Sequence, residues 1–250
     1  MRTEREIFLD VEFDTMPLDG VLARIAAVEP GSPYSFLITP NVDHIVRLHK
    51  NGAAPPGLAE AYRNAGLCTC DSRVLARLAK WRGIHLPVIP GSDLAAMMFE
   101  EVIAKGDRIA VIGGDGALLS GLRSRYPDVD FVQHCPPMGL MQNAPARRAA
   151  AEFIAAEQPR FTFVCVGSPQ QELIAAEAAS IAGSGGLALC VGAALDFLTE
   201  RQKRAPAFAR RLGVEWAHRL LTNPRRLWRR YLVEGPAIFL LAYRWRRTAA

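Results

Sequence analysis

Apolar residues recur along the chain with two periods. Short apolar runs at 35–39, 67–70, 108–112, 129–133, 161–166 and 187–191 predict buried strands. Residues 7–14 alternate in part and predict a further strand. Between the runs, apolar positions follow helical spacing. In 16–28, Leu18, Val21, Leu22 and Ile25 share one face, and Val74, Leu75, Leu78 and Trp81 repeat the pattern after 71–73. Residues 59–65, about 91–104 and 144–157 also predict helices. Strands alternating with helices predict an α/β fold with a Rossmann-like, largely parallel sheet flanked by helices.

The strand-to-helix junctions carry the candidate chemistry, because an open α/β sheet binds ligands outside the carboxyl ends of its strands. The most informative is 164–172, V-C-V-G-S-P-Q-Q-E. Gly167 lets the backbone approach a ligand, and Pro169 suits a first helical turn. Helix-start N–H groups there favour an anion such as a diphosphate, although an ordinary turn has the same residues. Thr39, Asn41 and His44 sit at another junction, where they can contact a ligand, or where Thr39 or Asn41 caps the next helix. Asp71 sits at a third. An aspartate there is most often an N-cap, but it can also serve as a general base toward an attacking hydroxyl. Gly113-Gly114-Asp115-Gly116 is a further glycine-rich turn, yet it is neither a dinucleotide fingerprint nor a P-loop. Asp128-Val129-Asp130 has the look of a metal-holding D-x-D, but it falls at a strand entry and reads mainly as a turn.

Charge changes the picture at the C-terminus. The chain has 250 residues and a formal net charge of +5. Thirteen Lys/Arg against two Asp/Glu in 201–250 place +11 there, so residues 1–200 carry −6. This divides the chain into an α/β body, 1–200, and a basic helical appendage, 201–250, which suggests an anionic partner. Arg225, Arg226, Arg229 and Arg230 share a broad helical face. Their Leu, Phe, Trp and Tyr neighbours suit a membrane surface better than nucleic acid, and the alternative is a helix pair packed on the body with a solvated basic face. Five cysteines without a secretion signal point to a reducing cytosol. The charged start, M-R-T-E-R-E, is unlike a signal peptide, and no apolar run reaches the length of a spanning helix.

A set of short motifs runs in order through most of the chain. They are Thr39-x-Asn41-x-x-His44, Gly91-x-Asp93-Leu94, Tyr126-Pro127, Gly167-x-Pro169-x-Gln171-Glu172 and Gly192-x-x-x-Asp196-Phe197. Arg204-Ala205-Pro206, Glu215-Trp216-x-x-Arg219-Leu220 and Pro224-x-Arg226-Leu227-x-x-Arg230-Tyr231 complete it. With this spacing the chain resembles the WecG/TagA/CpsF family of bacterial glycosyltransferases. The resemblance implies inverting transfer of a sugar from a UDP-sugar to a polyprenyl-diphosphate-linked saccharide, with no essential metal. It implies surface or exopolysaccharide assembly by a cytoplasmic enzyme held peripherally at the inner face of the plasma membrane. It gives Asp71 the role of catalytic base, reversing the preference for a cap, and makes Thr39 a second catalytic candidate. Asn41, His44, Asp93, Gly167, Pro169, Gln171, Glu172 and Asp196 become substrate-binding candidates. Arg219, Arg226 and Arg229, with Arg230 as neighbour, become candidates for holding the diphosphate. Ser72 stands where the family commonly has glycine, Gln170 where it has a basic residue, and Glu200 where glycine is common.

Two other readings follow from the residues. One is a nucleotide-binding enzyme of different chemistry with phosphate at 113–116. The other is a non-catalytic protein acting through its basic tail. An apolar tail also favours self-association, so a homo-oligomer is a further expectation.

Overall fold

A computed structural model of the chain describes residues 4–50, 54–202, 215–222 and 224–246, apart from the side chains of Glu215, Arg219 and Arg226. The centre is a six-stranded sheet in which every pairing is parallel. Its strands are β3 (Ser35–Ile38), β4 (Leu67–Cys68), β5 (Arg108–Ile112), β6 (Asp130–His134), β7 (Phe161–Val164) and β8 (Leu187–Cys190), in the order β4-β3-β8-β7-β5-β6.

Side chains alternate across the sheet, as the pleat requires. Phe36, Ile38, Val164, Ala188 and Cys190 enter one core. Leu37, Val111, Phe161, Phe163 and Leu189 enter the other. The first core is closed by α2 (Val42–Leu48), α3 (Leu58–Asn64), α4 (Arg73–Trp81), α7 (Ala144–Glu157) and α8 (Gln170–Ala179). The second is closed by α1 (Leu18–Ala26), α5 (Gly91–Met97), α6 (Gly116–Arg125) and α9 (Ala194–Leu198). Helix α5 runs on into a π-helical turn, Met98–Val102, so the helix expected to reach about residue 104 ends slightly earlier. The chain leaves β3 toward the first core and β8 toward the second. These neighbouring strands therefore form a crevice at a switch in winding.

The N-terminal expectation needs correction. Residues 7–14 are not one strand but part of a hairpin, β1 (Arg5–Phe8) paired antiparallel with β2 (Val11–Asp14). Leu9 and Asp10 form its turn with φ of 50° and 56°. A type I′ hairpin turn takes positive φ at both central positions, a role usually filled by Asn, Asp or Gly. Leu9 is only 1% exposed, so burial holds the turn that its own propensity opposes. The hairpin covers the β4 edge. Buried Asp14 accepts the Cys68 N–H at 2.7 Å, and Arg5 donates to Asp14 and to the Ala65 and Gly66 carbonyls.

Beyond the sheet lie α10 (Glu215–Thr222), α11 (Pro224–Trp228), a π-helical turn Arg229–Glu234, and α12 (Ala237–Arg244). Helix α12 packs on the body. Ile238 and Ala242 are buried in the first core, and the Trp245 ring meets Phe8 edge-on at 5.3 Å. Trp228, Leu232, Val233, Phe239, Leu240 and Tyr243 stay exposed on this segment. Among the described residues no helix is long and apolar enough to cross a membrane. The Arg204-Ala205-Pro206 motif lies outside the described residues.

Candidate active site

Three strand-like exits are aligned at one end of the sheet. The Thr69 N–H donates to the Ile38 carbonyl and the Asp71 N–H to the Pro40 carbonyl, both at 3.0 Å. Cys70 in turn bridges to Val88, and its carbonyl accepts the Ile89 N–H at 2.8 Å. This lattice brings the starts of α2, α4 and α5 together. Between them and the C-terminal segment lies a cavity of about 650 Å³, the size of a small-ligand site. Asn41, Asp71, Asp93 and Arg230 all line it. Trp216 and Tyr231 contribute an aromatic wall, their rings 6.1 Å apart.

Local caps decide what each junction residue does. Asn41 caps α2: its Oδ1 accepts the Asp43 N–H at 3.1 Å, and His44 Nδ1 accepts the Asn41 N–H at 3.4 Å. The cap is therefore Asn41 rather than Thr39. Since Nδ1 is the acceptor, the network assigns the neutral-ring proton to Nε2. Burial first, then the charges of Arg230 and Arg47, lower the His44 pKa to about 3, so the ring is neutral at ordinary pH. Thr39 is 3% exposed and donates to the Cys190 carbonyl at 3.1 Å. Gly91 packs against it so closely that a Cβ there would sit 2.9 Å from Thr39 Oγ1.

The N-cap of α4 is Ser72, whose Oγ accepts the Leu75 N–H at 3.3 Å. The capping role that Asp71 most often has at such a position falls to its neighbour, and Asp71 lines the cavity. The serine in place of glycine thus has a local reason.

The Gly167 to Glu172 turn lies beside the cavity rather than in its lining. Gly167 has φ +79°, which favours glycine. The Ser168–Pro169 peptide is cis, and Pro169 is the N-cap residue of α8, one position before the first helical turn. Gln171 staples this turn to the end of β8: its Oε1 accepts the Gly192 N–H at 3.1 Å and its Nε2 donates to the Cys190 carbonyl at 3.3 Å. Gln171 Nε2 also donates to Glu172 Oε1 at 3.0 Å. Glu172 is fully buried, and burial pushes its carboxyl pKa up against the lowering effect of the Gln171 hydrogen bond.

Asp196 lies away from the cavity, with Arg201 at 3.7 Å. Burial raises its pKa against the lowering effect of Arg201. Arg201 also forks onto Asp115, with two contacts of 2.7 Å, while Asp115 caps α6 by accepting the Leu118 N–H. The glycine-rich turn at 113–116 thus opens on a carboxylate that already holds its helix start. Asp128 and Asp130 pair with Lys105 and Arg108 at the strand-entry end of the sheet, opposite the cavity.

Of the arginine candidates, Arg230 faces the cavity. Arg229 is exposed and reaches Glu234 at 3.6 Å. The side chains of Arg219 and Arg226 lie outside the described residues. Sequence reasoning missed Asp43 and Arg47, which meet at 2.7 Å. Their i,i+4 spacing on a helix was the available signal.

Residues 6–250 match the model of the "Glycosyl transferase WecG/TagA/CpsF family". The chain belongs to this family. It is also similar to a curated relative from Bacillus spizizenii strain W23, named N-acetylglucosaminyldiphosphoundecaprenol N-acetyl-beta-D-mannosaminyltransferase. The two are 30% identical over 148 residues, covering 58% of this chain and 55% of the relative. The match thus spans about half the relative's length. In this WecG/TagA/CpsF chain the motifs Thr39-x-Asn41, Gly91-x-Asp93 and Gly167-x-Pro169-x-Gln171-Glu172 all lie at the strand-exit end, around the cavity or against its supports.

Proposed function

We propose that the chain is an inverting glycosyltransferase that moves a sugar from a UDP-sugar to a lipid-diphosphate-linked saccharide in bacterial surface-polysaccharide assembly. The observation that carries this reading is the cavity, where Asp71 lines one side and Arg230 another while Ser72 serves as the cap. Family membership and the name of the Bacillus relative support the reaction and acceptor class.

Asp71 takes the proton from the acceptor hydroxyl. The hydroxyl oxygen bonds to the anomeric carbon from the face opposite UDP, and the bond to the UDP oxygen breaks, with UDP carrying away the electron pair. UDP gains charge as it leaves. Arg230 meets that charge with a planar fork matched to phosphate oxygens, in a role the other C-terminal arginines share. Fixed donors are assigned this work rather than a metal. Thr39, His44, Gln171 and Glu172 hold the turns on which the site is built. Asn41 and Asp93 face the substrates, and the aromatic wall takes the apolar faces of a sugar ring. The exposed apolar and basic C-terminal residues hold the enzyme peripherally against the inner face of the membrane that carries its acceptor.

The test is UDP release from a panel of UDP-sugars, with and without a polyprenyl-diphosphate-linked saccharide, in EDTA. Acceptor-dependent release from one donor is expected. Release abolished by EDTA would overturn the metal-free assignment, and no release together with no UDP binding would overturn the reading itself.

A further inference from the structure

The Asp43 carboxylate lies between two guanidinium groups. Its Oδ2 is 2.7 Å from Arg47 and 3.3 Å from Arg230. Arg47 uses its other arm to donate to Ser168, to the carbonyl at 2.9 Å and to Oγ at 3.1 Å. A continuous chain of contacts, Ser168 to Arg47 to Asp43 to Arg230, thus runs from the β7–α8 turn to the C-terminal segment. An exposed i,i+4 pair adds little to a fold. This pair differs, because the Asp43 side chain is only 11% exposed and the neutral His44 ring lies buried beside both arginines.

We propose that Asp43 is the positioning residue for Arg230, holding its guanidinium at the cavity and coupling the C-terminal segment to the β7–α8 turn. One carboxylate shared by two guanidinium groups leaves a net positive charge. Arg230 Nε is buried with no hydrogen-bond partner among the described residues. A buried N–H without an acceptor is costly, and a diphosphate oxygen supplies one. This consequence for the donor rests on the transferase reading above, whereas the positioning itself does not.

The experiment is a double-mutant cycle with Asp43→Asn, Arg230→Gln and both, on the full chain without substrate, read by hydrogen exchange of residues 229–234. Asn keeps the side-chain shape and the helix start. Each single change is expected to speed exchange about fivefold, and the double variant to match either single one. Exchange rates that multiply in the double variant, or remain unchanged in Asp43→Asn, would overturn the proposal. Arg230→Lys keeps the charge without the fork and is expected to recover only part of the protection. The same cycle read by donor KM tests the coupling to substrate. Asp43→Asn is expected to raise KM about tenfold in the parent and less than about twofold in Arg230→Gln. Non-additive exchange without any sugar transfer would uphold the positioning role and reject only the transferase reading.

Discussion

Asp71 and Asp115 both follow a strand and precede a helix, and both are near an arginine-bearing C-terminal stretch, yet the two junctions differ. Asp115 caps its own helix and is gripped by Arg201 through two contacts of 2.7 Å. At the other junction Ser72 caps the helix, and Asp71 lines a cavity that Arg230 also lines. At such a turn the residue after the aspartate can take over the helix N–H groups, as Ser72 does beside Asp71. A spacing of one residue between carboxylate and cap separates the turn at Asp115 from the turn to which we assign the catalytic base.

The sharpest way to break that comparison is Asp71→Asn, which removes the proposed base and leaves the Ser72 cap. Acceptor-dependent turnover is expected to fall by about 10² to 10⁴, with UDP binding and melting temperature close to those of the parent. Arg230→Gln tests the other wall of the cavity. It is expected to lower kcat/KM by about 10², measured under the same conditions, and Arg229→Gln, at an exposed side chain near Glu234, is expected to lower it less.

His44 tests whether the buried supports behave as their burial requires. The folded ring resists protonation down to about 3, while the unfolded ring titrates near 6.5. The unfolded state therefore binds more protons across that window, and stability falls as pH falls through it. Denaturant unfolding is expected to lose about 2 kcal/mol from this group between pH 6.5 and about pH 5. His44→Gln keeps a side chain suited to that capping position and is expected to flatten the slope. The smallest effect belongs to Asp115→Ala, which removes a cap. Thermal melting is expected to drop by a few degrees with turnover little changed.

The sheet was legible because its strands are apolar runs bounded by turn residues, and 108–112 and 144–157 were placed with their full extent. The hairpin was not, because Leu9 adopts a backbone conformation its residue type disfavours and is held there by burial. At Asp71-Ser72 both residues are good caps, and only the backbone path shows which one reaches the helix N–H groups. The Asp43–Arg230 contact joins residues far apart in the chain. No local spacing encodes such a pairing, and the resemblance ranks Arg219, Arg226 and Arg229 ahead of Arg230, the arginine that lines the cavity.

The most direct test compares Asp71→Asn with Asp115→Asn in one acceptor-dependent UDP-release assay, with UDP binding measured on both. The account predicts a loss of at least about a hundredfold for Asp71→Asn with binding retained, and a change within about threefold for Asp115→Asn. Equal losses in the two variants, or full activity in Asp71→Asn, would contradict it.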